Sequence, residues 1–260
     1  MNSATRVKYI ASHFSALPHD NPQIDGWKAF LNLPANTGAD QVEESVIHAL
    51  RALGTELRSI EAKARSVGVP DDCYKHILAG ISKSLSTKFL HLPWKNSHGG
   101  VSPPEVRMCL SWLSWALSQF SEEAIDENEL IDLLGVISEQ EKLLSSTQMP
   151  SGLRELLEGQ LVELRAAIAM YQINGSKPIV DAVNKQCGEM RNASPDLVQE
   201  VANGSEEAKT ALAKGMELIS KSAKIAESGS KIFKFGKDVY ELGSAGWRMF
   251  GQNVLTSTGN

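Results

Sequence analysis

One short segment of the sequence brings together side chains that could do chemistry. Asp71, Asp72, Cys73 and His76 follow Pro70, and Cys73 and His76 are three residues apart, a spacing that puts both on one side of a helix. A thiol and an imidazole together could form a metal or thiol site. Zinc sites usually have paired ligands at both ends, however, and acidic residues at a helix start are expected from the helix dipole alone. An enzyme that uses the Cys73/His76 region is therefore less favoured than the two functions of the C-terminal end of the chain that are described below.

A second concentration of polar residues is acidic and lies near the middle of the chain. It could hold Mg²⁺ or Ca²⁺, but it lacks the glycine and the ligand spacing of a calcium loop, so a solvated loop and helix start are the preferred interpretation. The cluster consists of Glu122, Glu123, Asp126, Glu127, Glu129 and Asp132. Nucleotide-binding, zinc-protease and hydrolase motifs are absent from the sequence. The sequence predicts no catalytic residue, no metal site and no cofactor, and favours a protein that is not an enzyme.

Composition restricts the class of protein and its location. The 260 residues are 42% apolar and 22% charged, with a net charge of −5, which argues against a general nucleic-acid binder. The three cysteines are far apart, as expected of buried thiols in a reducing compartment. We find no signal peptide and no run of apolar residues long enough for a transmembrane helix. The sequence predicts a cytoplasmic protein, which in one alternative is peripheral to a membrane.

Helical periodicity dominates the elements that must position these residues. An apolar stripe with steps of three and four runs from Val42 to Val67 and stops at Gly68, and a second stripe runs from Tyr74 to about Leu92. The short link between them predicts an antiparallel hairpin. The predicted fold class is all-α, a multi-helix bundle of about nine or ten helices with long antiparallel helix hairpins.

Helix start signals and tryptophans mark the middle of the chain. In the sequence Ser102-Pro103-Pro104-Glu105, Ser102 is predicted to cap a helix, and Asp126 is predicted to open the next one. Trp112 and Trp115 lie opposite the leucines of the first of these helices and could belong to the core. Trp94, in a glycine-containing loop, and Trp115 are the best candidates for exposed aromatic contacts.

Breaks in the helical pattern suggest three regions along the chain. The loop from Pro93 to Gly100 is the predicted boundary between a helical hairpin region, residues 1–100, and a middle helical bundle, residues 101–204. A basic, glycine-containing helical region follows at residues 205–260. The three regions could also form one continuous domain.

The end of the chain, residues 230–255 and here called the C-terminal arm, has an unusual helical pattern. Lys231, Lys234, Asp238, Glu241 and Arg248 form one narrow polar stripe, and the rest of the circumference is apolar or small. This apolar perimeter is about twice the 100° expected of a surface helix. The predicted contact residues are Ile232, Phe233, Phe235, Gly236, Val239, Tyr240, Leu242, Gly243, Gly246, Trp247 and Phe250, with electrostatic contacts from Lys221, Lys224, Lys231, Lys234 and Lys237.

Three interpretations of the C-terminal arm remain open. It could be a central core helix of the bundle, with lysines that reach solvent along their flexible stems. It could mediate self-association or docking to a protein partner, the leading functional hypothesis. It could instead contact an anionic membrane surface, because residues 208–237 hold seven lysines and two glutamates and so carry a net charge of +5. The rest of the chain then carries a net charge of −5 − 5 = −10. This alternative is a membrane-acting effector that inserts the arm; nucleic acid is not an expected partner.

Overall fold

The computed structural model describes residues 1–192, 201 and 205–228. Over these residues the regular secondary structure is helical, which confirms the predicted all-α, multi-helix class. Nine α-helices lie in this part of the chain: α1, Ser3–Ser15; α2, Gln23–Phe30; α3, Ala39–Ser66; α4, Lys75–Ser84; α5, Pro104–Ala116; α6, Glu127–Ser146; α7, Ser151–Asn174; α8, Lys177–Arg191; α9, Glu206–Ser228. Single turns of 3-10 helix lie at Asp71–Cys73, Thr87–Phe89, Trp94–Asn96, His98–Gly100 and Ser118–Phe120.

The chain divides into two compact units. The first comprises Met1–Glu122 with Ala169–Gly175, and the second comprises Glu123–Ile168 with the described part of Ser176–Asn260. Helices α1 to α5 therefore belong to the first unit, to which α7 contributes its last residues. The division into three regions at residues 100 and 204 stays a prediction, as does the antiparallel arrangement of α3 and α4.

The first unit is built on the apolar stripe of α3. Its buried residues, at steps of three and four, are Val42, Val46, Ala49, Leu53, Leu57, Ile60 and Ala64, as the periodicity predicts. The chain leaves α3 through Gly68, whose φ of 78° is a backbone conformation that glycine adopts without steric cost. Helix α1 packs against both α3 and α5. Helix α1 therefore lies between α3 and the helix that carries Trp112 and Trp115.

Helix α4 is shorter than the second stripe predicts, because its end is bonded to other segments. The helix ends at Ser84 and not near Leu92. The Ser84 carbonyl accepts the side-chain amide of Gln23 at 2.7 Å, and its hydroxyl accepts the Gly100 N–H at 3.0 Å. A continuing helix would need that carbonyl for its own next turn, so the tertiary hydrogen bonds replace the helical one.

Trp94 lies in the core, and its predicted exposure is wrong. The side chain has no exposed surface, and its ring lies 5.4 Å from the ring of Phe14, which also contacts Trp27 at 4.9 Å. The backbone N–H of Trp94 donates to the Asn21 carbonyl at 2.8 Å. The segment predicted as a plain loop is therefore wound into 3-10 turns and held against α1 by a buried aromatic cluster.

The two helix starts predicted in the middle of the chain differ in outcome. Asp126 caps α6, and its carboxylate accepts the Asn128 N–H at 2.9 Å, as predicted. Helix α5 begins at Pro104 with Pro103 in the capping position, and Ser102 makes no capping hydrogen bond there. Two successive prolines already fix the backbone before the first turn, so the helix starts one residue later than a serine cap requires.

The second unit is formed by helices α6, α8 and α9 and by α7 up to Ile168, and it holds its own core. Helix α9 packs against α6 and α8. The buried amide of Gln140 on α6 donates to the Ala211 carbonyl at 2.7 Å, and a side-chain carbon at Gly215 would lie only 2.7 Å from Leu157. A side chain at Gly215 would have to displace Leu157, so the close packing here favours a glycine inside the helix despite its cost of about 1 kcal/mol relative to alanine.

No helix among the described residues is long and apolar enough to cross a membrane. The C-terminal arm lies outside the described residues.

Candidate interaction surface

Helix α5 is fixed in the first unit by one buried face. Leu110, Leu113 and Leu117 have no exposed surface and Val106 is almost fully buried. The side-chain amide of Asn2 donates to the carbonyls of Ser114, at 2.8 Å, and Leu117, at 3.1 Å. These bonds satisfy carbonyls at the last turn of α5, which has no helical partners for them. The helix is therefore held by apolar packing on one side and by polar bonds at its end.

The opposite side of α5 carries three large apolar side chains that are exposed. Met108 is 72% exposed, Trp112 41% and Trp115 73%. Their spacing of four and three residues places them in one row along the helix, here called the α5 face. Other exposed apolar residues of the described chain, such as Ile131 and Val162, occur singly on their helices. Single exposed apolar residues are normal in soluble proteins, whereas a row of them on one helix face makes that face a candidate interaction surface.

Beside the α5 face lies a pair of cysteines that the sequence separates by 36 positions. The Cys109 thiol donates to the carbonyl of Cys73 at 3.6 Å. Cys73 is exposed and Cys109 half-buried, so the prediction of buried thiols is wrong for this pair. Burial raises the pKa of the Cys109 thiol, and the neighbouring Cys73 raises it further. The structure thus places the Cys109 thiol against the backbone of Cys73, a neighbour that the sequence pattern did not indicate.

The turn that presents Cys73 is anchored by its first residue, Asp71. The Asp71 carboxylate accepts two hydrogen bonds from the Arg65 guanidinium, at 3.1 and 3.2 Å, and one from the Tyr74 hydroxyl at 2.6 Å. The Arg65 and Tyr74 hydrogen bonds hold the pKa of Asp71 well below its ordinary value. Since Tyr74 is buried and Arg65 lies on α3, Asp71 ties the turn to the core.

The depressed pKa of Asp71 makes a pH-dependent contribution to stability. The ionised carboxylate is favoured in the folded chain, so its contribution is fully present above the unfolded pKa of about 3.8 and is lost as the pH falls through the folded value. We expect Asp71→Asn to lower the melting temperature near neutral pH, and the gap to wild type to narrow progressively as the pH falls below about 3.8. Thermal unfolding from pH 7 to pH 2 checks this. Asp72→Asn, which removes the same charge one residue later, is the control. A difference in melting temperature between wild type and Asp71→Asn that is the same at every pH would contradict the assignment.

A second polar cluster of the first unit is buried and ionic. Arg6 donates to the Glu56 carboxylate at 2.8 Å, and it also contacts Glu122 at 3.4 Å. The other oxygen of Glu56 accepts the side-chain amide of Asn174 at 3.0 Å. Gly175 closes the cluster with a φ of 69°, and a side-chain carbon there would meet Arg6 at 2.6 Å and Glu122. The charges are paired inside the protein, which indicates a structural role.

The two sets of residues that could do chemistry, around Cys73 and in the acidic cluster, lie within the described residues. His76 and Cys73 are both exposed, and no group of three or more potential metal ligands occurs within the described ranges. In the acidic cluster, Glu122 contacts Arg6 and Asp126 caps α6.

Of the predicted electrostatic contacts, Lys224 is exposed and Lys221 half-buried on α9. The remaining ones, Lys231, Lys234 and Lys237, lie outside the described residues, as do all eleven predicted arm contacts: Ile232, Phe233, Phe235, Gly236, Val239, Tyr240, Leu242, Gly243, Gly246, Trp247 and Phe250.

Comparisons of the chain with protein-family models, with curated proteins and with solved structures give no match.

Proposed function

We propose that this chain is a non-enzymatic helical interaction protein that associates with copies of itself. In this proposal the C-terminal arm of one copy covers the α5 face of another. The observation that carries the proposal is the exposure of Met108, Trp112 and Trp115 in one row on a helix whose other side is fully packed.

The chemistry of the α5 face favours a protein partner. Tryptophan and methionine are enriched at the centres of protein interfaces, and tryptophan is among the residues that contribute most to binding. Covering a large apolar side chain contributes roughly 1.5–3 kcal/mol relative to leaving it in water. Helix α5 gains nothing for folding from this side, because its core contacts come from Leu110, Leu113 and Leu117. Three such side chains on one helix face can support a specific contact with another apolar helix.

The sequence of the C-terminal arm has the matching properties. Its helical spacing leaves apolar flanks on both sides of the polar stripe. This apolar perimeter is wider than the perimeter that packing on one side of a helix bundle covers. From Met108 to Trp115 the α5 face extends roughly 10 Å along its helix, whereas 20 residues in helical conformation extend about 30 Å. The arm is therefore long enough to cover the whole face. Both halves of the contact are present in one chain, which is the reason to propose a second copy as the occupant.

The test is the state of association of the full chain. We expect sedimentation velocity to show concentration-dependent association that a Met108→Ala/Trp115→Ala variant weakens by roughly tenfold or more, since each 1.4 kcal/mol of lost contact is a factor of ten. The matched control is Ile131→Ala/Val162→Ala, which removes two apolar side chains that are similarly exposed, at 64% and 67%, but lie singly. A monomer at all concentrations, or equal effects of both variants, would contradict the proposal.

Truncation after Ser228 separates the two halves of the contact. If the arm covers the α5 face, the truncated chain is expected to lose association as the double variant does, and combining both changes gives no further loss. Additive losses would show that the arm and the α5 face bind different surfaces. Circular dichroism of the truncated chain controls for unfolding, which is the outcome expected if the arm is a core helix.

The membrane alternative rests on the seven lysines that precede and enter the arm. It predicts that the full chain co-sediments with vesicles containing anionic lipid, that truncation after Ser228 abolishes binding, and that salt weakens it. If the full chain binds anionic vesicles and the truncated chain does not, this alternative is favoured over self-association. Equal, negligible binding by both chains would remove it.

A further inference from the structure

We propose that Cys73 and Cys109 form a thiol-modification site, in which a peroxide joins them in an intramolecular disulfide. The site lies beside the α5 face but does not depend on self-association, since it needs only the fold of the first unit. It differs from the Cys73/His76 pairing that the sequence suggested, because the partner of Cys73 is a second sulfur.

The contact between the two residues is direct. The Cys109 sulfur lies 3.6 Å from the carbonyl oxygen of Cys73. A disulfide needs the two α-carbons about 4.4–6.8 Å apart, and a contact of 3.6 Å from the Cys109 sulfur to the Cys73 backbone is compatible with α-carbons in that range. Both sulfurs belong to elements with fixed positions. Cys109 is on α5 between the buried residues Val106 and Leu110, and Cys73 follows Asp71, which Arg65 holds.

The surroundings of the two thiols differ in a way that orders the reaction. Cys73 is exposed and reaches a dissolved peroxide first, whereas Cys109 is half-buried and its burial raises the pKa of its thiol. The Cys73 thiolate attacks one peroxide oxygen, the O–O bond breaks, and Cys73 becomes a sulfenic acid while water leaves. The Cys109 thiolate then attacks the Cys73 sulfur, the S–O bond breaks, and a second water leaves. In sum, two thiols and one hydrogen peroxide give one disulfide and two waters, with the sulfurs oxidised and the peroxide reduced.

The third cysteine provides an internal control. Cys187 lies on α8 in the second unit, whereas Cys73 and Cys109 lie in the first. Cross-linking within the first unit therefore has a defined product, a link between residues 73 and 109 in one chain.

The experiment treats the reduced full chain with hydrogen peroxide, alkylates the remaining thiols and maps the peptides by mass spectrometry. We expect the alkylatable thiols to fall from three to one, the mass before alkylation to fall by two hydrogen atoms, and the 73–109 link to form at a rate independent of protein concentration. A dithiol reductant should restore all three thiols. The Cys187→Ser variant should give the same link, whereas Cys73→Ser should give none.

The proposal is overturned by any of three results. The first is that Cys73 and Cys109 both stay alkylatable at peroxide levels that oxidise free glutathione. The second is a dominant link that includes Cys187 or joins two chains. The third is overoxidation of Cys73 to the sulfonic acid while Cys109 stays reduced, because a thiol in place to resolve the sulfenic acid would react first. Since the main readout uses the unaltered chain, a folding defect in a variant does not affect the outcome.

Discussion

Replacing Glu56 by alanine is expected to lower the free energy of unfolding by about 3–5 kcal/mol, the usual effect of removing one partner of a buried ion pair. Arg6 and Glu56 are both buried and 2.8 Å apart. Without Glu56 the guanidinium stays inside the protein with Glu122, 3.4 Å away, as its remaining carboxylate contact. The amide of Asn174 also loses the oxygen that accepts it. Chemical denaturation monitored by circular dichroism measures the change.

An exposed ion pair of similar length is the control for Glu56. Arg165 and Glu141 are 2.8 Å apart with 45% and 43% of their side chains exposed. Glu141→Ala is expected to cost no more than about 1 kcal/mol, because solvent screens an exposed pair. The double replacement Arg6→Met/Glu56→Leu should recover most of the stability lost in Glu56→Ala, since it leaves no buried charge. Equal losses for Glu56→Ala and Glu141→Ala would contradict the buried position of the Arg6 pair.

The second large effect is a contrast between two tryptophans. Trp94→Ala is expected to cost about 3–5 kcal/mol of stability, because it leaves a cavity in the aromatic cluster with Phe14. Trp115→Ala is expected to change stability by less than about 0.5 kcal/mol, as for most surface substitutions. The difference follows from exposed fractions of 0% for Trp94 and 73% for Trp115.

Denaturation of both tryptophan variants at a protein concentration that keeps the chain monomeric checks this contrast. If Trp115→Ala is as destabilising as Trp94→Ala, the α5 face is part of a core and not a free surface. Loss of association with unchanged monomer stability is the combination that our proposal requires of Trp115→Ala.

Much of the fold could be predicted from the sequence because it depends on local signals. The stripe of α3 from Val42 to Ala64 is buried as its periodicity predicts, and Asp126 caps α6. Helix class and helix starts depend on neighbouring residues, which a single sequence displays. The early end of α4 could not be predicted, because a side chain 61 positions away, Gln23, bonds the Ser84 carbonyl.

The candidate site was harder to predict for the same reason. From the sequence alone, Trp94 and Trp115 are equally good candidates for exposed side chains. The packing of Phe14 against Trp94 distinguishes them. Cys73 and Cys109 meet through the packing of α5, and Arg6 meets Glu56 across 50 positions. Trp112 and Trp115 stand out in the sequence as a pair three residues apart, whereas Met108 joins their row only through its exposure in the structure. The sequence could not show whether this face of α5 points into the core or to solvent.

The central claim is that the α5 face becomes covered when copies associate, and hydroxyl-radical footprinting across a concentration series tests it most directly. Methionine and tryptophan side chains react when solvent reaches them, so oxidation of Met108 and Trp115 should fall as association rises. Oxidation of Tyr9, 56% exposed on α1, serves as the internal reference and should stay constant. If Met108 and Trp115 remain as reactive in the associated state as in the monomer, copies meet through another surface and the proposed function is wrong.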